Sequence, residues 1–442
     1  MQPERRRSRE RPDSAGEILR LATAGSVDDG KSTLVGRLLY DTKSVLADQL
    51  EAVRLASVGR GLATPDLSLL VDGLRAEREQ GITIDVAYRY FATPRRTFVL
   101  ADTPGHVQYT RNTVTGASTA QLAVLLVDAR NGVVAQTRRH AAVLALLGVP
   151  LLVLAVNKID LIGYDEAAFA VIAKEFTAHA AALGYPPHAV QAVPVSALLG
   201  DNVVMRSRHT PWYPGPTLLE HLESVPVAGE DAAAPLRFPV QYVIRERSRD
   251  YRGYAGQVAA GVVHAGEEVL VLPGGWRSTV TRIDTPDAPD GGLPAAGAGQ
   301  SVTLLLADEL DIGRGDLIAA AHGAPTPTAE LTAALCWLAE GPLRAGARVL
   351  VKHGTRTVAA VVSELVARFD EQRLSTAADP DGLALNEIGL VRIRTAEPLP
   401  VDDYATSRRT GAFLVIDPAG GATLAAGLVG GRLPAPDGRA EP

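Results

Sequence analysis

The eight residues Gly25-Ser26-Val27-Asp28-Asp29-Gly30-Lys31-Ser32 keep the spacing G-x-x-x-x-G-K-S. That spacing works in one local setting, in which a strand delivers the chain to the loop and a helix carries it away. Residues 18–24 alternate well enough for the strand, and residues 32–39 read as an apolar helix. Loop N–H groups and the helix dipole then converge on an anion. Gly25 and Gly30 allow the tight turn and the close backbone approach. Lys31 would reach the β- and γ-phosphates of a nucleotide, and Ser32, with Thr33 beside it, would offer a hydroxyl to Mg2+. Alone, the loop does not choose GTP over ATP.

The loop opens an alternating stretch, residues 18–226. Residues 86–91 and 97–101 read as strands joined by the Pro94-Arg95-Arg96 turn. Residues 121–128 and 151–156 are unbroken apolar runs, as in strands buried on both faces. Residues 136–147, 165–183 and 217–224 read as helices. Repeated βα units predict a mainly parallel sheet covered on both sides, with ligands at the carboxyl ends of the strands. From residue 235 the texture changes to short apolar runs punctuated by Gly and Pro: 238–244, 256–263, 268–272 and 301–306. This predicts a β-barrel domain over 235–322. A linker near 319–328 and a second β-rich domain over 328–430 follow, with runs at 331–338, 348–351, 357–366, 389–395 and 411–416. Residues 1–17, rich in arginine, and 431–442 read as disordered tails.

Composition narrows the classes. With 46% apolar and 21% charged residues the chain is an ordinary globular protein. The net charge of −6 disfavours a general nucleic-acid surface. Residues 143–156, the longest greasy run, fall short of a membrane span and contain Gly148 and Pro150. The lone cysteine, Cys336, excludes an internal disulfide framework and fits a buried small hydrophobe in a reducing, cytoplasmic setting. Only five of the 44 Lys+Arg are lysines, and two of them, Lys31 and Lys158, fall in the nucleotide motifs.

Three further motifs sit at the strand ends where such a sheet would present them, and a fourth lies between the phosphate loop and Asp102. Asp102-Thr103-Pro104-Gly105-His106 follows the 97–101 strand. Asp102 can hold Mg2+ through water, Gly105 can offer its N–H to a γ-phosphate, and His106 lies beside an attacking water. Asn157-Lys158-Ile159-Asp160 ends the next buried strand. The Asp160 carboxylate can accept both the ring N–H and the exocyclic amino group of guanine, a donor pair that adenine lacks. Asn157 would tie the loop together and the Lys158 stem would lie over the base. Ser196-Ala197-Leu198 would cap the far side of the base. Between the phosphate loop and Asp102, Gly81-Ile82-Thr83-Ile84 supplies Thr83, which can complete the Mg2+ shell. Four ordered motifs predict GTP binding.

Gln80 to Ile84, Asp102 to His106 and Gln108-Tyr109-Thr110-Arg111-Asn112 resemble the translational GTPase superfamily, a GTPase domain followed by two β-barrels. Gly25 to Thr33, Asp85 to Phe91, Thr115 to Ser118, Leu126-Val127-Asp128-Ala129-Arg130 and Thr410 to Asp417 resemble, more closely, the GTPase subunits of sulfate adenylyltransferases. The second resemblance spans residues 19–429, with Asp29 where elongation factors usually have His. It implies GTP hydrolysis that drives a partner, a small ATP-using sulfate adenylyltransferase subunit, to make adenosine 5′-phosphosulfate in a cytoplasmic heterodimer. It implies that His106 positions the attacking water, that Lys31 and Thr83 act with it, and that Val27 and Ile82 gate the histidine. Ser32, Thr83 and Asp102 would face the metal. Some relatives carry a C-terminal adenylylsulfate kinase; with the sequence ending at Pro442, that activity is expected to be absent. The rivals are a tRNA-delivering translation factor, against which Asp28-Asp29 and the acidic balance count, and a non-hydrolysing scaffold, against which His106 and Thr83 count.

Overall fold

The computed structural model describes residues 18–59, 65–71, 86–103, 110–226, 233–246, 251–286, 292–370, 375–378 and 380–431. They belong to two compact units. The first takes in Met1–Thr137, Val149–Ala178 and Pro186–Pro226; the second takes in Arg138–Gly148, His179–Tyr185 and Val227–Pro442.

The first unit is built on a six-stranded sheet in the order β2-β3-β1-β4-β5-β6. The strands are β1 (Ile18–Ala24), β2 (Ala87–Ala92), β3 (Thr97–Asp102), β4 (Leu122–Asp128), β5 (Leu151–Asn157) and β6 (Val190–Pro194). All neighbours run parallel except β2, which pairs antiparallel with β3 as the second arm of a hairpin. Every residue of β4 is buried, as is all of β5 after Leu151, which explains their unbroken apolar runs. Helix α1 (Lys31–Asp41) follows β1, α2 (Ala47–Gly59) follows it, α3 (Thr110–Ala117) precedes β4, α4 (Ala135–Leu146), which the second unit takes from Arg138 on, precedes β5, and α5 (Glu166–Ala182), which it takes from His179 on, precedes β6. A final helix, α6 (Leu218–Ser224), starts on a capping box: the Thr217 hydroxyl accepts from Glu220 N–H, and the Glu220 carboxylate accepts from Thr217 N–H. The βα units are those read from the sequence, with ends moved by a residue or two. Helices α2 and α3 and the 3-10 turn at Leu67–Leu70 are additions that the sequence pattern does not show.

The chain leaves β1 toward β3 on one side and returns to β4 on the other. Between those two directions the carboxyl ends of β1, β3 and β4 open a crevice. The phosphate-loop residues stand at that crevice.

The second unit holds two β-rings. The strands of the first are β7 (Arg237–Glu246), β8 (Tyr251–Gln257), β10 (Glu268–Leu272), β11 (Trp276–Asp284), β13 (Ser301–Leu306) and β14 (Leu317–Ala320), closed in the order β10-β11-β13-β8-β7-β14. Its core includes Phe238, Tyr254, Val269, Ile283 and Leu304. The run at 256–263, expected to be one strand, is two. The chain turns at Gly261 (φ 74°), and β9 (Val262–His264) pairs instead with β12 (Ala295–Gly297). The expected linker is shorter, because Ala319 and Ala320 pair within β14 and the next strand begins at Thr328. The second ring runs β16 (Arg348–His353), β20 (Ala412–Ile416), β21 (Thr423–Val429), β15 (Thr328–Trp337), β19 (Ile388–Leu399) and β17 (Arg356–Asp370). A β16–β17 pairing closes it, and β18 (Ser375–Ala378) flanks β17. Cys336 is buried in β15, and burial pushes its thiol up to about 12. No helix among the described residues is long and apolar enough to cross a membrane.

Candidate functional site

The loop between β1 and α1 is shaped by its glycines. Gly30 precedes α1 with φ 94° and ψ 27°, and a Cβ placed there would lie 2.4 Å from Asn157 Nδ2. Only glycine fits, sterically and conformationally. No side chain caps α1 and no acidic residue occupies its first turn, so the helix N-terminus keeps its N–H groups and positive field for an anion. Lys31 is buried beneath the loop, and its Nζ donates to Gly25 O at 2.9 Å and Ser26 O at 2.8 Å. Burial pulls its ammonium below the ordinary lysine range, and the Asp102, Asp29 and Asp28 carboxylates oppose that shift. Asp29 is buried as well; its Oδ2 accepts from Ser26 N–H at 2.6 Å, and burial raises its carboxyl. Ser26 Oγ is buried with no partner among the described residues. A buried ammonium, an orphaned hydroxyl and an uncapped helix start together fit a polyphosphate.

Asp102 ends β3 fully buried, and its Oδ1 accepts from Thr23 Oγ1 at 2.8 Å. Thr103 Oγ1 donates to Thr23 O at 2.6 Å, so the hydroxyls of adjacent strands lock both residues. Ser32, in the first turn of α1, and Asp102 offer hard oxygen atoms of the kind Mg2+ takes alongside phosphate. Pro104, Gly105, His106, Ile82 and Thr83 lie outside the described residues.

Asn157 joins three loops. Its Nδ2 donates to Asp29 O at 2.7 Å, and its Oδ1 accepts from Ala197 N–H at 2.9 Å. The expected tying role of Asn157 is present as two buried hydrogen bonds. Lys158 adopts a left-handed backbone (φ 60°), and its Nζ donates to Asp28 O. Ile159 N–H donates to Val195 O at 3.3 Å, and Asp160 falls in a 3-10 turn (Ile159–Ile162), partly exposed. Ser196 and Ala197 are buried, whereas Leu198 is 61% exposed. Val27 and Asp28 are exposed at the tip of the phosphate loop. Gly25 to Ser32, Asp102, Thr103, Asn157 to Asp160 and Ser196 to Leu198 thus all fall in the first unit, at or just beyond the carboxyl ends of β1, β3, β5 and β6.

Two contacts were not legible as function. Arg37 of α1 donates through Nε to Ala197 O at 3.2 Å and through a terminal nitrogen to Leu198 O, bracing the loop from behind. Asp128, at the end of β4, pairs with Lys158 at 2.9 Å. Its only sequence signal was membership of the Leu126 to Arg130 run.

Comparison with known proteins agrees with this arrangement. Residues 16–227 match the elongation factor Tu GTP binding domain, and residues 330–430 match the GTP-eEF1A C-terminal domain-like family. The chain is 54% identical over 416 residues to the bifunctional enzyme CysN/CysC of Mycobacterium tuberculosis, covering 93% of this chain and 67% of that protein. It is 51% identical over 415 residues to sulfate adenylyltransferase subunit 1 of Methylorubrum populi, covering 93% and 87%. It is 49% identical to the same subunit of Cellvibrio japonicus, covering 93% and 86%. The phosphate loop, the Asn157 ties and these alignments along nearly the whole chain lead to one conclusion: the protein belongs to the sulfate adenylyltransferase subunit 1 family, with an elongation-factor-type GTP-binding domain.

Proposed function

We propose that the chain binds GTP with Mg2+ in the first unit and hydrolyses it, in the cytoplasm, to drive sulfate adenylation by a separate small ATP-using subunit. The observation that carries the reading is Asn157, which joins the phosphate loop to the Ala197 loop so that phosphate and base subsites belong to one rigid edge. In this reading Gly25 to Thr33 cradle the phosphates, Lys31 leaves its two carbonyl partners for the terminal phosphates, and Asp160 reads guanine. Ser32, Asp102 and Thr83 would hold the metal, which supplies charge neutralisation on the phosphates when bound. Thr103 to Gly105 would follow the γ-phosphate, and His106 would orient the attacking water. Hydrolysis then releases the contacts of Thr83 and Gly105, the kind of local change that switches a partner. Formation of adenosine 5′-phosphosulfate from ATP and sulfate is uphill, so the partner gains from the coupling and this chain alone should not make the product.

The test mixes the purified chain with the small subunit, ATP, sulfate, Mg2+ and either GTP or a non-hydrolysable analogue. GTP should raise adenosine 5′-phosphosulfate yield and the complete mixture should raise GTP turnover. Equal yield with the analogue would remove the coupling.

A further inference from the structure

Asp128 is bound more tightly than a strand-end carboxylate needs. Its side chain is 3% exposed and accepts from four donors. Oδ1 takes Arg130 N–H at 3.0 Å and Arg130 Nε at 3.0 Å, while Oδ2 takes Arg130 Nη2 at 2.6 Å and Lys158 Nζ at 2.9 Å. Its backbone is fixed too. Asp128 O accepts from Asn131 and Gly132 N–H, and Ala129 N–H reaches Asn157 O across the β4–β5 register that sets Asp128 opposite Asn157. Lys158 is the opposite case. It carries a flexible four-carbon stem on a left-handed backbone, and among the described residues its ammonium has two hydrogen-bonding partners, Asp28 O in the phosphate loop and Asp128, with the Asp29 carboxylate near enough to attract it. Only one of the two is a charge.

We infer that Asp128 is a positioning residue for Lys158, that Arg130 competes with Lys158 for the same carboxylate oxygen, and that the three together set how long the guanine nucleotide is held. Asp128 anchors the Lys158 ammonium, so that the stem stays over the base position and the phosphate loop stays tied through Asp28. Arg130, half exposed, draws on the oxygen that Lys158 uses. A charge on a flexible stem loses most when its counter-charge goes, because many rotamers become available to it. The inference rests on the guanine-nucleotide binding proposed above.

The experiment measures release of N-methylanthraniloyl-GDP from the full chain on chase with excess GDP. Asp128→Asn keeps the shape and removes the charge, and should speed release about tenfold, the coupling of contacting charged groups. In a Lys158→Met background the same substitution should change release by less than about twofold. Arg130→Ala, at the surface, should slow release about threefold, because Lys158 gains sole use of Oδ2. Full acceleration by Asp128→Asn without Lys158, or faster release from Arg130→Ala, overturns the inference. Should Asp128→Asn not fold, Arg130→Ala decides alone, and release at the native rate or faster overturns it. Failure of the unsubstituted chain to retain the labelled GDP would instead overturn the binding reading.

Discussion

At the residue scale the proposed guanine site turns on one carboxylate. Asp160 stands partly exposed in the turn after β5, held there by Ile159 N–H to Val195 O and Leu161 N–H to Lys158 O. A carboxylate accepts twice, which matches the ring N–H and amino group of guanine. Asp160→Asn replaces one acceptor by a donor, which clashes with that amino group but suits the C2 carbonyl of xanthine. GTP affinity should fall by roughly 3 kcal/mol, about a hundredfold, while xanthosine triphosphate binds better than GTP in competition titrations. Unchanged guanine preference would remove Asp160 from the base site. The motif of Asp160 is visible in the sequence because it is contiguous and ends a buried strand. The role of Asp128 is not, because what makes it matter is a pairing thirty residues on.

At the element scale the phosphate loop depends on α1 staying seated. Gly36 lies inside α1, where helix propensity alone would favour alanine by about 1 kcal/mol. Packing opposes this, since a Cβ at Gly36 would sit 2.1 Å from the Leu67 carbonyl oxygen of the following 3-10 turn. A backbone oxygen has no rotamer to escape into, so the turn must move, a cost of about 1–3 kcal/mol. Gly36→Ala should therefore lower the urea midpoint and weaken GTP binding despite its better propensity. A higher midpoint would mean that the turn shifts freely. Strands β4 and β5 were read correctly because burial on both faces writes itself as an unbroken apolar run. Residues 256–263 read as one apolar run, but the chain turns at Gly261 inside it, and only the pairing of β9 with β12 separates the two pieces.

At the scale of the whole molecule, a buried polar chain links the two rings of the second unit. Arg237 of β7 donates to Asp402 through Nε (2.8 Å) and Nη2 (2.9 Å), Thr410 Oγ1 donates to Asp402 Oδ2 (2.6 Å), and His353 Nε2 pairs with Thr410 O (2.7 Å). Burial raises the Asp402 carboxyl, but Arg237 and Thr410 overcome it and hold the group below the usual range. Burial pulls the His353 imidazole below its ordinary value. The unfolded chain therefore binds more protons than the folded one below about pH 6.5 at His353, and below about pH 4 at Asp402. Both contributions are complete at neutral pH and shrink on acidification, His353 first. Melting temperature should fall as pH drops from 7 toward 5, and His353→Gln should flatten that stretch of the profile. An identical slope in the variant would assign the acid sensitivity elsewhere.

What the sequence determined by itself is local: the glycines and lysine of the phosphate loop, the apolar periods of the strands and helices, and the Asn157 to Asp160 motif at the end of β5. Each is written in contiguous residues, because backbone conformation and burial period act over one turn or one strand. Tertiary structure alone decided which distant side chains meet. Asn157 reaches Asp29 over 128 positions, Arg237 reaches Asp402 over 165, and Lys158 meets Asp128 across the β4–β5 register. Those pairings depend on strand order and register, which hydrophobic periodicity leaves open until the sheet has closed.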